Sequence, residues 1–172
     1  MKFCVEVAKG LKDLGIKYKW YLIGDGVEYA EINELVTIYD LQHELSLVGR
    51  KSNPYPYIVD ADIMVHPSLV ESYGITVLEG MALGIPVIVV ESDGPKEFIE
   101  NGKNGVLVKP NQVAICEEIR KVYFNETNKN RMIEKGLRTV EQYSVDAVMK
   151  KIEKVLEGEV RNERICDVSG WR

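Results

Sequence analysis

The sequence predicts an α/β fold, a doubly wound parallel sheet occupying residues 1–157. Two observations carry that expectation. Over residues 1–110, short apolar runs alternate with segments of helical periodicity, the order that crossover connections between parallel strands require. The run "PVIVVE" (residues 86–91) is continuous and β-branched, as in a strand covered on both faces.

The elements follow in chain order. Phe3, Val7, Leu11 and Leu14 recur at helical spacing until Gly15 stops the run. "KWYLIG" is a strand and "GDG" the loop after it; a helix over 28–39 carries Ile32, Leu35 and Ile38 on one side. "LSLVG" is the next strand, "RKSN" its loop, and Asn53-Pro54 a cap followed by a first-turn proline opening "PYPYIVDA". "DIMVHP" is a strand, then comes a loop, then a helix over 75–83 that Gly84 ends. After "PVIVVE", "GPKEFIEN" reads as a short helix, "NGKNG" as a turn and "VLVK" as a final strand. Three helices are predicted over 111–124, 129–142 and 145–157, the last capped by Ser144. Residues 158–172 are polar and aperiodic, expected to be a tail or a crossover segment.

Composition narrows the function. The chain has 172 residues, enough for one domain with a real core, and 22 basic against 27 acidic residues give a net charge of −5. That balance argues against a nucleic-acid surface, which needs clustered positive charge. The longest apolar run, "IPVIVV", is far short of a bilayer span, and the start carries no signal-peptide pattern. Cys4, Cys116 and Cys166 fit neither a metal spacing nor a disulfide framework and are expected to be reduced thiols of a cytoplasmic protein. His43 and His66 alone cannot make a metal site, and no metal is predicted.

In a doubly wound sheet ligands bind beyond the carboxyl ends of the strands. The loop from Pro67 to Gly74 lies on that side and enters a helix. The first amides of that helix, near Gly74 to Thr76, have no intrahelical partner, and the peptide dipoles concentrate about half a positive charge there. Such an end suits phosphate, and Gly74 is expected to let the backbone approach it closely. Glu79 lies about 7.5 Å further along the axis and would suit the hydroxyls of a nucleotide's ribose. Glu71, before the helix, would face a sugar at the other end of a diphosphate. The same residues also fit a plainer reading, in which Glu71 caps the helix electrostatically and Glu79 is solvated.

"HPSLVESYGITVLEGMALGIPVIVVESDGPKEFIENGKNGVLV" closely resembles the donor-binding domain of retaining GT-B glycosyltransferases, in particular family 4. The matching residues are Pro67-Ser68, Glu71 and Glu79 with seven residues between them, Gly84-Ile85-Pro86-Val87, and Gly94-Pro95-Lys96-Glu97. The stretches "YLIGDG" and "NPYPYIVDADIMVHPS" are also similar to that family. The resemblance implies a Rossmann-like domain, the C-terminal half of a GT-B fold, that binds a nucleotide diphosphate sugar. It implies that Glu79 binds ribose, that Glu71 contacts the donor sugar, and that amides around Ser72, Tyr73, Gly74 and Ile75 hold the diphosphate. Gly49, Arg50 and Lys51 would lie near the nucleobase, although Arg50 and Lys51 equally suit a solvated loop. Gly24 and Gly26 fit a tight turn as well as a ligand contact, and His66 is read as a satisfied structural histidine.

Ser72-Tyr73 stand where the family often has glycine and phenylalanine, and Asp93-Gly94 where it often has two glycines. The family also carries an arginine and a lysine on a first strand and its loop, whereas residue 1 here already falls in the helix that follows. The domain is therefore expected to lack its first strand, and Lys9 is not promoted to the missing role. "DAD" (Asp60–Asp62) is read as a loop-to-strand junction away from the ligand loops rather than a metal motif. The resemblance further implies metal-independent, retaining hexosyl transfer to a sugar or lipid-linked acceptor, as in polysaccharide biosynthesis, with no cofactor beyond the donor substrate. The acceptor, and any peripheral membrane contact, would belong to an absent N-terminal domain. The alternative class is a non-catalytic nucleotide-sensing or interaction module with the same half-fold. A sugar-nucleotide epimerase is a third reading, which would need further acids that nothing here demands.

Overall fold

The structure, a computed structural model, describes residues 2–156. The predicted segment 158–172 and Cys166 lie outside the described residues. The order is α1 (Lys2–Asp13), β1 (Trp20–Ile23), α2 (Tyr29–Ile38), β2 (Leu45–Gly49), α3 (Tyr55–Ile58), β3 (Met64–His66) and α4 (Ile75–Ala82). There follow β4 (Val87–Val90), α5 (Asp93–Lys96), β5 (Val106–Val108), α6 (Gln112–Phe124), α7 (Glu126–Glu141) and α8 (Val145–Leu156).

All strand pairs are parallel, as expected of strands joined by helical crossovers. Among the described residues they form two ladders rather than one sheet, β1-β2 and β3-β4-β5. Helix α1 bridges them. Its Cys4, Val5 and Ala8 pack with Leu22, Ile32, Val36 and Leu45, while Val7 and Leu11 pack with Ile88, Val90, Val106 and Ile115. Trp20 of β1 and Val65 of β3 both lie against the second of these clusters.

The central strand β4 is buried at all four positions, so its continuous apolar run needs no alternation. Ile88 and Val90 face α1 and α6, whereas Val87 and Val89 pack with Val77 and Met81 of α4 on the other face. Helices thus cover both faces. Leu14 and Ile38, placed on the buried stripes by spacing, are instead 60% and 63% exposed, because α1 ends at Asp13 and α2 buries Ile32 and Val36.

Three helix boundaries differ from expectation, those of α5 and α7 for local reasons. Helix α3 spans Tyr55–Ile58 rather than the longer run. Helix α5 spans Asp93–Lys96: the side chain of Asn104 accepts the Glu100 N–H (2.8 Å) and donates to the Phe98 carbonyl (2.8 Å), taking groups a longer helix would have used. Helix α7 starts early, at Glu126, because Asn125 Oδ1 accepts the Asn128 N–H at 3.0 Å. Ser144 does cap α8, with Oγ accepting the Ala147 N–H at 3.3 Å.

Candidate functional site at the start of α4

Strand β3 delivers its carboxyl end into the loop 67–74, and α4 leaves that loop at Ile75. The loop is ordered by Glu71. Its Oε1 accepts the Gly74 N–H at 3.2 Å and the Tyr73 N–H at 3.5 Å, and its Oε2 lies 3.2 Å from His66 Nε2. The Glu71 carbonyl also accepts the Gly94 N–H at 3.0 Å, tying the loop to the start of α5. Partial burial opposes ionisation of Glu71, but the Gly74 and Tyr73 amides and His66 outweigh it and hold the carboxyl below its ordinary value.

Glu71 thus accepts from the two amides just before α4, an arrangement near the plainer reading in which it caps the helix electrostatically. The carboxylate sits on the amides of Tyr73 and Gly74, part of the set assigned to a diphosphate. His66 is hydrogen-bonded to Glu71 and half-buried.

Gly74 sits where the chain requires a glycine. It has φ +87°, a conformation that favours glycine, and it is buried. A Cβ there would lie 3.0 Å from Pro95 Cγ and 3.4 Å from Phe98 Cζ. Its missing side chain makes room for α5 and the residues after it. The Tyr73 ring likewise turns to protein, with centroids 6.5 Å from Phe98 and 6.2 Å from Tyr143. Ser72 and Ile75 are exposed at the mouth of the loop.

Glu79 is half-buried on α4, between the buried Leu78 and Gly80, and its Oε1 accepts the Tyr55 hydroxyl at 2.8 Å. Gly49 closes β2 with φ +71°, and its carbonyl accepts the Gly24 N–H at 2.9 Å, which ties the start of the loop after β1 to the end of β2. Arg50 is exposed, and Lys51 Nζ stands 5.7 Å from the Tyr57 ring centroid. The structure thus joins Glu71, Tyr73 and Gly74 directly and connects the Gly49–Lys51 loop to Glu79 through α3. It gives Glu71 and Glu79 separate partners. A cavity of about 440 Å³, lined by Glu91, Leu107, Lys109, Glu118 and Lys121, lies beside β5 and α6, and none of the predicted site residues lines it.

Sequence reasoning missed Tyr55 as a partner of Glu79 and Gly94 as the support of the site loop. A Cβ on Gly94 would lie 2.5 Å from the Tyr73 nitrogen and 2.6 Å from the Ser72 carbonyl carbon. Gly94 was visible as a turn glycine, but the backbone it meets is 21 positions earlier in the chain. Asp62, the end of "DAD", pairs with Lys129 of α7 at 3.2 Å.

Comparison with known proteins bears on the fold and the family. A crystal structure of the C-terminal domain of a glycosyl transferase group 1 family protein, LpcC from Francisella tularensis, matches 84% of this chain and 79% of that one, with TM-score 0.70 and 23% identity. The Anabaena protein HepE, crystallised in complex with UDP and glucose, matches 89% of this chain and 52% of that one, with TM-score 0.74 and 17% identity. The fold is therefore that of the C-terminal half of GT-B glycosyltransferases. The family "Glycosyl transferases group 1" matches residues 1–139. The chain belongs to that family, family 4 of the glycosyltransferases. Among curated relatives, the lipopolysaccharide core biosynthesis glycosyltransferase LpsE of Rhizobium meliloti is 29% identical over 133 residues, 76% of this chain and 39% of LpsE. The chain spans about two-fifths of the length of such relatives. No helix among the described residues is long and apolar enough to cross a membrane.

Proposed function

We propose that this chain is the donor half of a retaining enzyme that moves a hexosyl group from a nucleotide diphosphate sugar to a sugar or lipid-linked acceptor. The observation that carries the reading is the junction at Gly74, where the loop beyond parallel strand β3 turns into α4 and the Tyr73 and Gly74 amides both donate to one carboxylate oxygen of Glu71. Family membership supports it, as does the binding of UDP by a protein of the same fold.

In this reading the diphosphate takes the place Glu71 now occupies on the Tyr73 and Gly74 amides. The displaced carboxylate turns to the donor sugar, still within reach of His66, and orients it. Cleavage of the glycosidic bond leaves extra negative charge on the diphosphate. A well-placed donor aimed at that charge lowers the barrier by about 3 kcal/mol. Glu71 stabilises positive character at the anomeric carbon and need not form a covalent bond. Glu79 accepts from the ribose, and the Gly49–Lys51 loop borders the base. The acceptor and the base that activates it belong to an N-terminal half, and the whole acts in the cytoplasm.

Calorimetry with UDP, GDP and ADP sugars tests the reading. Binding of at least one, weakened by Glu79→Ala, is the expected result. Equal affinity of Glu79→Ala and the unaltered chain removes the ribose assignment.

A further inference from the structure

The Tyr55–Glu79 hydrogen bond joins two elements that the sequence separates by 24 positions, and nothing in the reading above uses it. We infer that Tyr55 is a positioning residue for nucleoside recognition, holding the Glu79 carboxylate in the orientation that receives a vicinal diol. This rests on the donor-site reading and deepens it.

The phenol is aimed by more than one contact. Asn53 Oδ1 accepts the Tyr55 N–H at 3.1 Å, fixing the backbone at the start of α3. Ile58, at the other end of that single turn, is buried, and the Val59 N–H closes the turn on the Tyr55 carbonyl at 3.0 Å. Between them Tyr57 packs on Tyr21 of β1, ring centroids 6.1 Å apart, and lies under Lys51. The short helix is thus held against β1, the β2 loop and the core at once. On the receiving side, Val77, Leu78, Gly80 and Met81 are buried and fix α4 around the half-buried Glu79.

A glutamate with three rotatable torsions loses orientational freedom when it binds a ligand, and ordering it beforehand removes that cost from binding. Tyr55 donates to a group that can only accept, so it occupies one lone pair of Oε1 and leaves Oε2 whole. Two hydroxyls on adjacent carbons then meet a carboxylate already turned toward them. The ligand this selects is a ribonucleoside, in preference to its deoxy counterpart. The phenol itself is shifted upward by its hydrogen bond to Glu79 and by that residue's charge, as a donor to a carboxylate is.

The test uses the whole 172-residue chain, with the best-bound of UDP, GDP and ADP and its 2′-deoxy form as probes. Tyr55→Phe removes only a hydroxyl from a side chain that is 43% exposed, so melting temperature should hold. We expect affinity for the ribonucleotide to fall about three- to tenfold, as for loss of one ordering hydrogen bond, and the ribo-over-deoxy preference to shrink with it. In a Glu79→Ala background Tyr55→Phe should add nothing further. Unchanged affinity and unchanged preference in Tyr55→Phe overturn the inference, while a loss in Glu79→Ala alone keeps the donor-site reading. If the unaltered chain binds none of the three nucleotides, that reading fails and the role of Tyr55 falls with it.

Discussion

Glu71 Oε1 lies 3.2 Å from the Gly74 amide nitrogen and accepts its hydrogen bond, so the acid holds the loop that leads into α4. One carboxylate therefore has two attachments, amides on one oxygen and His66 on the other, and a bound anion would compete for only the first. Glu71→Ala should consequently raise affinity for a bare nucleoside diphosphate while removing any gain a donor sugar adds. Parallel titrations with UDP and a UDP sugar would measure both changes, and a fall in UDP affinity would contradict the competition.

The same contacts set a pH dependence. The folded carboxyl of Glu71 titrates below its ordinary value of 4.5, so its stabilisation is fully present above that value and is lost as pH falls through the lowered one. Melting curves of the unaltered chain and Glu71→Gln should differ most above about pH 5 and converge in acid. A gap that stays constant with pH would assign the effect of the substitution to packing.

Gly94 supports the site loop through backbone contact. A methyl there meets the Tyr73 nitrogen and the Ser72 carbonyl carbon, neither of which can rotate away. Gly94→Ala should cost about 1–3 kcal/mol, the range for forced overpacking, and weaken nucleotide binding as well. Gly26→Ala, where a Cβ meets nothing within 4 Å, should stay within about 0.5 kcal/mol. Denaturant melts of the pair provide the comparison.

Asn104 is only 4% exposed and makes three hydrogen bonds of 2.8 Å, to the Glu100 N–H, the Phe98 carbonyl and Thr139 Oγ. Asn104→Ala would strand buried backbone groups beside α5 and release the tie to α7. The expected loss is about 1–3 kcal/mol per unpaired group, read from urea unfolding.

Cys4 and Cys116 are buried free thiols in α1 and α6, and burial pushes the Cys4 thiol up to about 11 and raises Cys116 as well. The reactive form is the thiolate, so both should resist iodoacetamide at neutral pH in the folded protein. Peptide mass spectrometry before and after denaturation would show the protection and its loss.

Much of the fold was legible because its signals are short-range. The alternation of strands and helices and the unbroken "VIVV" run (87–90) read out which segments would be covered on two faces. Ser144 was recognisable as a cap because its partner is three residues away. The glycine after Tyr73 and the two acids eight apart were legible as a pattern. Their surroundings were not. Helix α5 ended early because the side chain of Asn104, from a later turn, took its hydrogen-bonding groups.

By itself, then, the sequence determined the element order, the parallel strands and the loop in which Glu71 sits, because periodicity and capping act within a turn or two of the chain. The tertiary structure alone decided what the acids touch: Glu71 turned onto its own loop amides and His66, Glu79 onto Tyr55, and Gly74 against Pro95. Apart from the loop amides, those partners come from other strands and helices, and only the packing of α3, α4 and α5 around the strand ends brings them within hydrogen-bond or van der Waals reach.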